Sequence, residues 1–282
     1  MGFQINNNLA ANNTYRNLNS TQGDLSKSLE KLSSGLRINR AADDAAGLAI
    51  SEGLKSQVGG LTVAARNAQD GISVVQTAEG GLTETQSILQ RMRDLAVQSG
   101  NDSNNATSRA AIKTETDSLT TELTRISAST NFNGIQLLDG KGGTGADGKL
   151  SFQVGAGSDA ASNTITVDLA PADVSKTATA VGAIDLSTAA GSSAAIKTID
   201  DEITKISTAR ASLGAVQNRF EHAINNTNVA KENLTAASSR ITDTDMAQEM
   251  VKYTRANILS QAGTAMLAQA NQSTQGVLSL LR

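Results

Sequence analysis

Cysteine and tryptophan are absent from this chain, proline and histidine each occur once, and aromatic residues make up 2% of its 282 positions. Without cysteine there is no disulfide, no thiolate nucleophile and no zinc–sulfur site. The single His222 sits in Phe220-Glu221-His222-Ala223, a helical context. One histidine rules out an H-E-x-x-H metalloprotease, and nothing in the sequence sets an acid and a nucleophile beside it for a triad. His222 therefore reads as an ordinary helix residue. The glycines form neither G-x-x-x-x-G-K-[ST] nor a strand-linked G-x-G-x-x-G. With 27 acidic and 24 basic residues the net charge is −3, which gives no basic footprint for nucleic acid. No apolar run approaches the roughly 18 residues of a membrane span, so no membrane insertion is expected. The opening MGFQINNNLAANNTYRN lacks the basic region and apolar stretch of a secretory signal. These absences describe a chain with no catalytic residues, no cofactor and no metal.

What is present is small and aliphatic, mainly Ala, Leu, Ile and Val, which suits thin helical bundles rather than an aromatic-rich enzyme core. Such bundles carry much surface per unit of core and gain stability when neighbours cover them. The two ends are patterned alike. Residues 11–36 place Ala11, Leu18, Leu25 and Leu32 seven apart, with Tyr15, Leu29 and Leu36 on the next row, broken by Gln22. Near the other end Ala247, Val251, Ile258, Ala262 and Ala265 recur at helical spacing, followed by Val277, Leu278, Leu280 and Leu281. A seam of this kind buries one stripe and needs partner helices.

Between the ends the chain runs out and back. A helix to about Ser33 meets a stop at Ser33-Ser34-Gly35. Asp43-Asp44 restarts it, since acidic residues favour a helix N-terminus. Leu61, Ala68, Val75, Leu82, Leu89 and Ala96 then lie seven apart despite Gly59-Gly60 and Gly80-Gly81, which predicts one helix over about 45–99. At about 1.5 Å per residue it is a rod of roughly 80 Å. Ile112, Thr116, Leu119, Leu123 and Ile126 mark a second helix, and Asn131-Phe132-Asn133-Gly134 a turn. Alternation at Leu150, Phe152 and Val154 and at Ile165, Val167 and Leu169 predicts a β-hairpin. Residues 171–195, rich in Ala, Ser, Thr and Gly, read as a surface connection with a poor core. From Ile196 the heptad resumes at Ile199, Ile206, Leu213, Phe220, Leu234 and Ile241, interrupted by Thr227. The expected fold is mainly α, with paired terminal helices as a coiled coil and a rod-like helical bundle carrying small β-hairpins. Its expected domains are 1–44 with 236–282, 45–170 with 195–235, and a short variable surface segment at 171–194.

Weaker signals have bland readings. Asp43-Asp44 and Asp243-Thr244-Asp245 lack EF-hand spacing and read as helix-start acids. Arg91-Met92-Arg93-Asp94 alone is a solvated helix face. Asn105-Ala-Thr107 and Asn233-Leu-Thr235 are sequons of the kind an Asn- and Thr-rich chain produces by chance.

Longer motifs carry a resemblance. Leu32-Ser-Ser-Gly-Leu-Arg-Ile-Asn39 and Ala42-Asp-Asp-Ala-Ala-Gly-Leu-Ala-Ile50 resemble the N-terminal signature of bacterial flagellins. So do Arg66-Asn-Ala-Gln-Asp-Gly-Ile-Ser73, Gln90-Arg-Met-Arg-Asp-Leu-Ala-Val-Gln98 and Phe132-Asn-Gly134 with Leu137-Leu138. Leu213-Gly-Ala-Val-Gln-Asn-Arg-Phe220, Ser239-Arg-Ile241, Gln261-Ala-Gly263, Leu267-Ala-Gln-Ala-Asn-Gln272 and Val277-Leu-Ser-Leu-Leu-Arg282 are similar to the C-terminal one. The resemblance covers about 1–170 and 195–282. It implies a non-enzymatic structural subunit that polymerises with itself into the extracellular flagellar filament. It also implies export through the flagellar type III channel without a cleaved signal peptide, and termini that fold on assembly. Identical contacts that do not close give a helix.

The resemblance further implies a self-assembly seam, placed here at Leu18, Leu25, Leu29, Leu32, Val251, Ile258 and Leu280. Gln261, Gln269, Gln272 and Gln275 would face a wet central channel. Its expected partners are other copies of itself, an export chaperone at the C-terminal helix, filament cap and hook-junction proteins, and the animal Toll-like flagellin receptor. The receptor patch maps onto Gln90, Arg91, Leu95 and Glu115, with Asp94 where relatives often carry Glu. The alternative within the same class is a hook–filament junction protein, disfavoured by the complete rod motifs and the intact C-terminal ending. A flagellin with a catalytic insertion is disfavoured by the short middle, and a membrane-active helical protein by the Asn-, Gln- and Ser-rich ends.

Overall fold

The computed structural model describes residues 8–143 and 145–280, with side chains described through residue 272. Seven helices and two small hairpins follow one another among these residues. Helix α1 is Leu9–Ser34, α2 Ala45–Ser99 and α3 Ala106–Ser129. Strands β1 (Asn131–Phe132) and β2 (Ile135–Gln136) precede β3 (Lys149–Gln153), the one-turn α4 (Ala160–Asn163) and β4 (Thr164–Asp168). Helix α5 is Val174–Gly182, α6 Ala189–Thr242 and α7 Met246–Leu280.

Contacts divide the chain into a terminal unit, Met1–Ser56 with Asn233–Arg282, and a central unit, Gln57–Glu232. Both divisions fall inside continuous helices, α2 and α6.

The central unit is built on the predicted heptads. Ala68, Val75, Leu82, Leu89 and Ala96 of α2 and Ile199, Ile206, Leu213 and Phe220 of α6 are all buried, within one core that also takes Ile112, Leu123 and Ile126 of α3. Thr227, which interrupts the heptad in sequence, is buried too. Arg93 donates to Asp200 at 2.6 Å and Arg210 to Gln86 at 2.6 Å, pinning α2 to α6 from the flanks. The hydrogen bond and charge of Asp200 hold the Arg93 guanidinium above its ordinary pKa.

Both hairpins are docked on this core. Asn133 and Gly134 take φ of +51° and +80° between β1 and β2, the two positive values of a type I′ turn. β3 and β4 pair antiparallel, Leu150 with Val167 and Phe152 with Ile165. Phe152 meets Phe220 edge-on, ring centres 5.6 Å apart, and Asn67 of α2 donates to the Gln153 carbonyl at 3.0 Å. Gly71 is where α2 lets Phe220 in, because a Cβ there would stand 2.5 Å from the ring.

The segment 171–194 is not the surface connection its composition predicts. Val174, Ala178, Val181 and Leu186 are buried in the central core, and α5 packs on α3. Ser99 donates to the Leu186 carbonyl at 2.7 Å, Thr177 to the Glu202 carboxylate at 2.9 Å, and the Val174 amide to Leu138 at 3.0 Å. Small Ala and Thr side chains here allow close packing rather than exposure. The final helix of the unit consequently begins at Ala189, ahead of the predicted Ile196.

Candidate assembly interface

In the terminal unit α1 and α7 pair antiparallel. Asn8 caps α1 by accepting from the Ala11 amide and donates through Nδ2 to the Ala270 carbonyl at 3.0 Å. Further along, Leu18 lies over Gly263, and Ser28 reaches Glu249. Gly35, at φ +73°, ends α1 in the left-handed conformation the sequence predicts, its amide bonded to the Lys31 carbonyl. Beyond it the chain makes a short antiparallel bridge. The Arg37 amide donates to the Thr242 carbonyl at 2.6 Å and the Thr244 amide to Gly35 at 3.0 Å.

One acid of each pair starts a helix, while Asp243 instead accepts from the Ser239 and Thr242 hydroxyls at the end of α6. Asp44 accepts from the Gly47 amide at 2.8 Å, and Asp245 from those of Ala247 and Gln248. Asp43 accepts from the Arg40 and Asn39 amides, which hold its carboxyl below the ordinary range. Among the described residues no group of three or more His, Cys, Asp or Glu converges on a metal-sized site, and no helix is long and apolar enough to cross a membrane.

The covered stripe of α1 is Ala11, Thr14, Leu18, Thr21, Leu25, Ser28 and Leu32. On α7 it is Glu249, Tyr253, Ala256, Ser260, Gly263, Leu267 and Ala270. Each alternates steps of three and four, the seam of a coiled coil. Of the seven residues expected in an assembly seam, Leu18, Leu25 and Leu32 therefore face α7. Val251 and Ile258 point the other way, each 61% exposed, and Leu29 borders the covered stripe of α1, 55% exposed. Leu280 lies outside the residues whose side chains are described. Leu18, Leu25 and Leu32 thus lie in the covered row of α1, whereas the α7 row of Val251 and Ile258 is left outward, and the α7 row that is covered is mostly small or polar, with Tyr253 and Leu267. Ala256, Gly263 and Ala270 at seven-residue spacing were the available signal. Met250 and Leu259 extend the outward face of α7 into an apolar groove with Val251 and Ile258. Gln261, Gln269 and Gln272 are exposed on the same helix, and Gln275 lies outside the described side chains.

The second expected patch lies on the central unit. Arg91 donates from Nε and Nη2 to one Glu115 oxygen at 2.9 and 2.7 Å, tying α2 to α3, and Gln90 is exposed beside it. Leu95 does not belong to this surface. It is 2% exposed and packed in the core, one turn on from Arg91, at the edge where the face of α2 turns inward.

A helical chain whose ends close on each other and leave a second apolar stripe uncovered belongs to the class of structural proteins that assemble. The comparisons agree. Residues 5–142 match the family described as bacterial flagellin N-terminal helical region, and 196–281 match its C-terminal helical region. The chain is 51% identical to a flagellin of Halalkalibacterium halodurans over 278 residues, covering 99% of each. It is 50% identical to a flagellin of Bacillus subtilis, covering 99% of this chain and 100% of the other. A crystal structure of Bacillus cereus flagellin matches with a TM-score of 0.49 at 35% identity, over 57% of this chain and 88% of that one. The chain belongs to the bacterial flagellin family.

Proposed function

We propose that this chain polymerises into the helical flagellar filament through the outward stripe of its paired terminal helices. The observation that carries this reading is the division of the described apolar side chains of α1 and α7 into two faces. One is covered within the chain, and one, with Leu29, Val251 and Ile258, is uncovered. Burying the second stripe against neighbouring copies gains about 25 cal/mol per Å² of apolar surface, multiplied along a filament. Identical head-to-tail contacts extend without closing. An isolated helix pair with so thin a seam gains much of its order from that docking, so the termini fold as subunits add.

The same outward face of α7 suits an export chaperone before assembly, and the assembled ends suit cap and hook-junction proteins. A chain without cysteine and with one proline threads an export channel without disulfides to form or many slow X-Pro bonds to isomerise. On the central unit, Gln90, Arg91 and Glu115 form a polar patch fitted to the animal Toll-like flagellin receptor, with Leu95 supporting it from inside. Seeded polymerisation followed by electron microscopy tests the main reading, comparing the full chain with one lacking residues 1–33 and 245–282. Filaments from the full chain alone support it, and filaments from both overturn it. For the patch, Arg91→Ala is expected to reduce receptor signalling several-fold at unchanged circular dichroism; unchanged signalling removes the site.

A further inference from the structure

We infer that Ser28 and Glu249 select the register in which α1 pairs with α7. The inference deepens the assembly reading of this same unit. Apolar packing alone defines the register poorly. Leucine recurs at 18, 25 and 32 on α1, and a small residue recurs at 256, 263 and 270 on α7. Leu18 seats on Gly263, where an added Cβ would lie 3.9 Å from the Leu18 Cβ and 3.2 Å from its Cδ1. Sliding α1 by one heptad seats Leu25 on Gly263, Leu32 on Ala256 and Leu18 on Ala270, a seam of nearly the same shape. The bond from Asn8 to the Ala270 carbonyl marks no register either, since every residue offers a carbonyl.

Beyond the backbone bridge that holds residues 35–37 to 242–244 at one end, Ser28 and Glu249 break this degeneracy along the helices. Both are buried, and the Ser28 hydroxyl donates to Glu249 Oε1 at 2.7 Å while Oε2 accepts from Lys252 at 2.9 Å. A one-heptad slide carries Ser28 to the level of Ala256 and leaves Glu249 level with Gly35, past the end of α1. The opposite slide brings Thr21, whose hydroxyl is bonded to the Asn17 carbonyl, to the level of the carboxylate and carries Ser28 past the start of α7. Both slides break the Ser28–Glu249 bond, and the first strands the buried carboxylate beyond the end of α1; single buried polar residues of this kind specify register in coiled coils.

The cysteine-free chain makes the test direct. The Leu18→Cys/Gly263→Cys pair places its Cβ atoms near 3.9 Å, inside the range of a relaxed disulfide, and traps the observed register. The pairs Leu25→Cys/Gly263→Cys and Ala11→Cys/Gly263→Cys trap the two slipped ones. Each pair is oxidised in the full chain, with and without Glu249→Leu, Ser28→Ala or Glu249→Gln, and disulfide yields are read by mass spectrometry of peptides. Glu249→Leu and Ser28→Ala are expected to raise the slipped-to-native ratio by about tenfold or more. Glu249→Gln, still able to accept from Ser28, is expected to leave it near the parent value. An unchanged ratio in both Glu249→Leu and Ser28→Ala overturns the inference, as does a native trap that fails to close in the parent. Electron microscopy of the same samples separates the two ideas. A native trap that closes while no filaments form counts against the assembly reading and still supports the register pair.

Discussion

Two glycines show how much a single Cβ decides. Gly71 faces the buried ring of Phe220, so Gly71→Ala forces an overlap that a fully buried side chain cannot relieve. Overpacking of this kind costs about 1–3 kcal/mol, and the urea midpoint of the chain is expected to fall. Gly214, also mid-helix, has no atom within 4 Å of an added Cβ. Gly214→Ala gains up to about 1 kcal/mol of helix propensity, so the midpoint moves the other way. Both glycines look alike in sequence, since helical period says which face a residue is on and nothing about what faces it. Leu95 was misplaced for a related reason. The motif around Gln90 and Arg91 is local, whereas burial depends on elements that arrive later in the chain and share its core.

At the scale of elements, two docked pieces are expected to come loose separately from their supports. Phe152→Ala removes the edge-on contact with Phe220 and much of what holds the β3–β4 hairpin. Amide hydrogen exchange across 149–168 is expected to speed up while the helical circular dichroism holds. The α1–α7 pair responds to acid instead. Burial pushes the Glu249 carboxyl up, but the hydrogen bonds from Ser28 and Lys252 and the charges of Lys252 and Lys31 outweigh it, so its pKa lies below the ordinary value. Lys27, Lys31 and Asp24 of α1 and Lys252 and Arg255 of α7 line the same cleft. A carboxylate with a lowered folded pKa contributes stability that is present above its unfolded pKa of about 4.3 and lost as pH falls through the folded one. Helicity lost between about pH 5 and 3 is expected to be smaller in Glu249→Gln than in the parent. The long helices were readable because their heptads are unbroken over many turns. The α7 seam was not, since Ala256, Ser260 and Gly263 carry no hydrophobic signal and bury by closeness rather than by size. Nor was α5, whose Ala and Thr residues look like linker until α3 lies against them.

For the molecule as a whole, the two faces of the terminal pair predict two kinds of defect. Leu29→Asp or Ile258→Asp charges the outward stripe and is expected to abolish seeded filament growth, with the soluble chain's circular dichroism unchanged. Leu25→Asp places a carboxylate inside the pair itself, so growth fails and disulfide trapping of the pair fails with it. Growth that survives all three substitutions would place assembly elsewhere on the chain.

The pairing also makes a record of chain length. Ser28 and Glu249 are 221 residues apart, so at roughly 5–20 residues per second α1 is synthesised some tens of seconds before its partner exists. A nascent or broken-off chain, however well its middle folds, has nothing with which to close its first helix. The subunit thus certifies its own completeness, and a growing polymer on which both ends must close as they dock rejects truncated copies without any separate inspector.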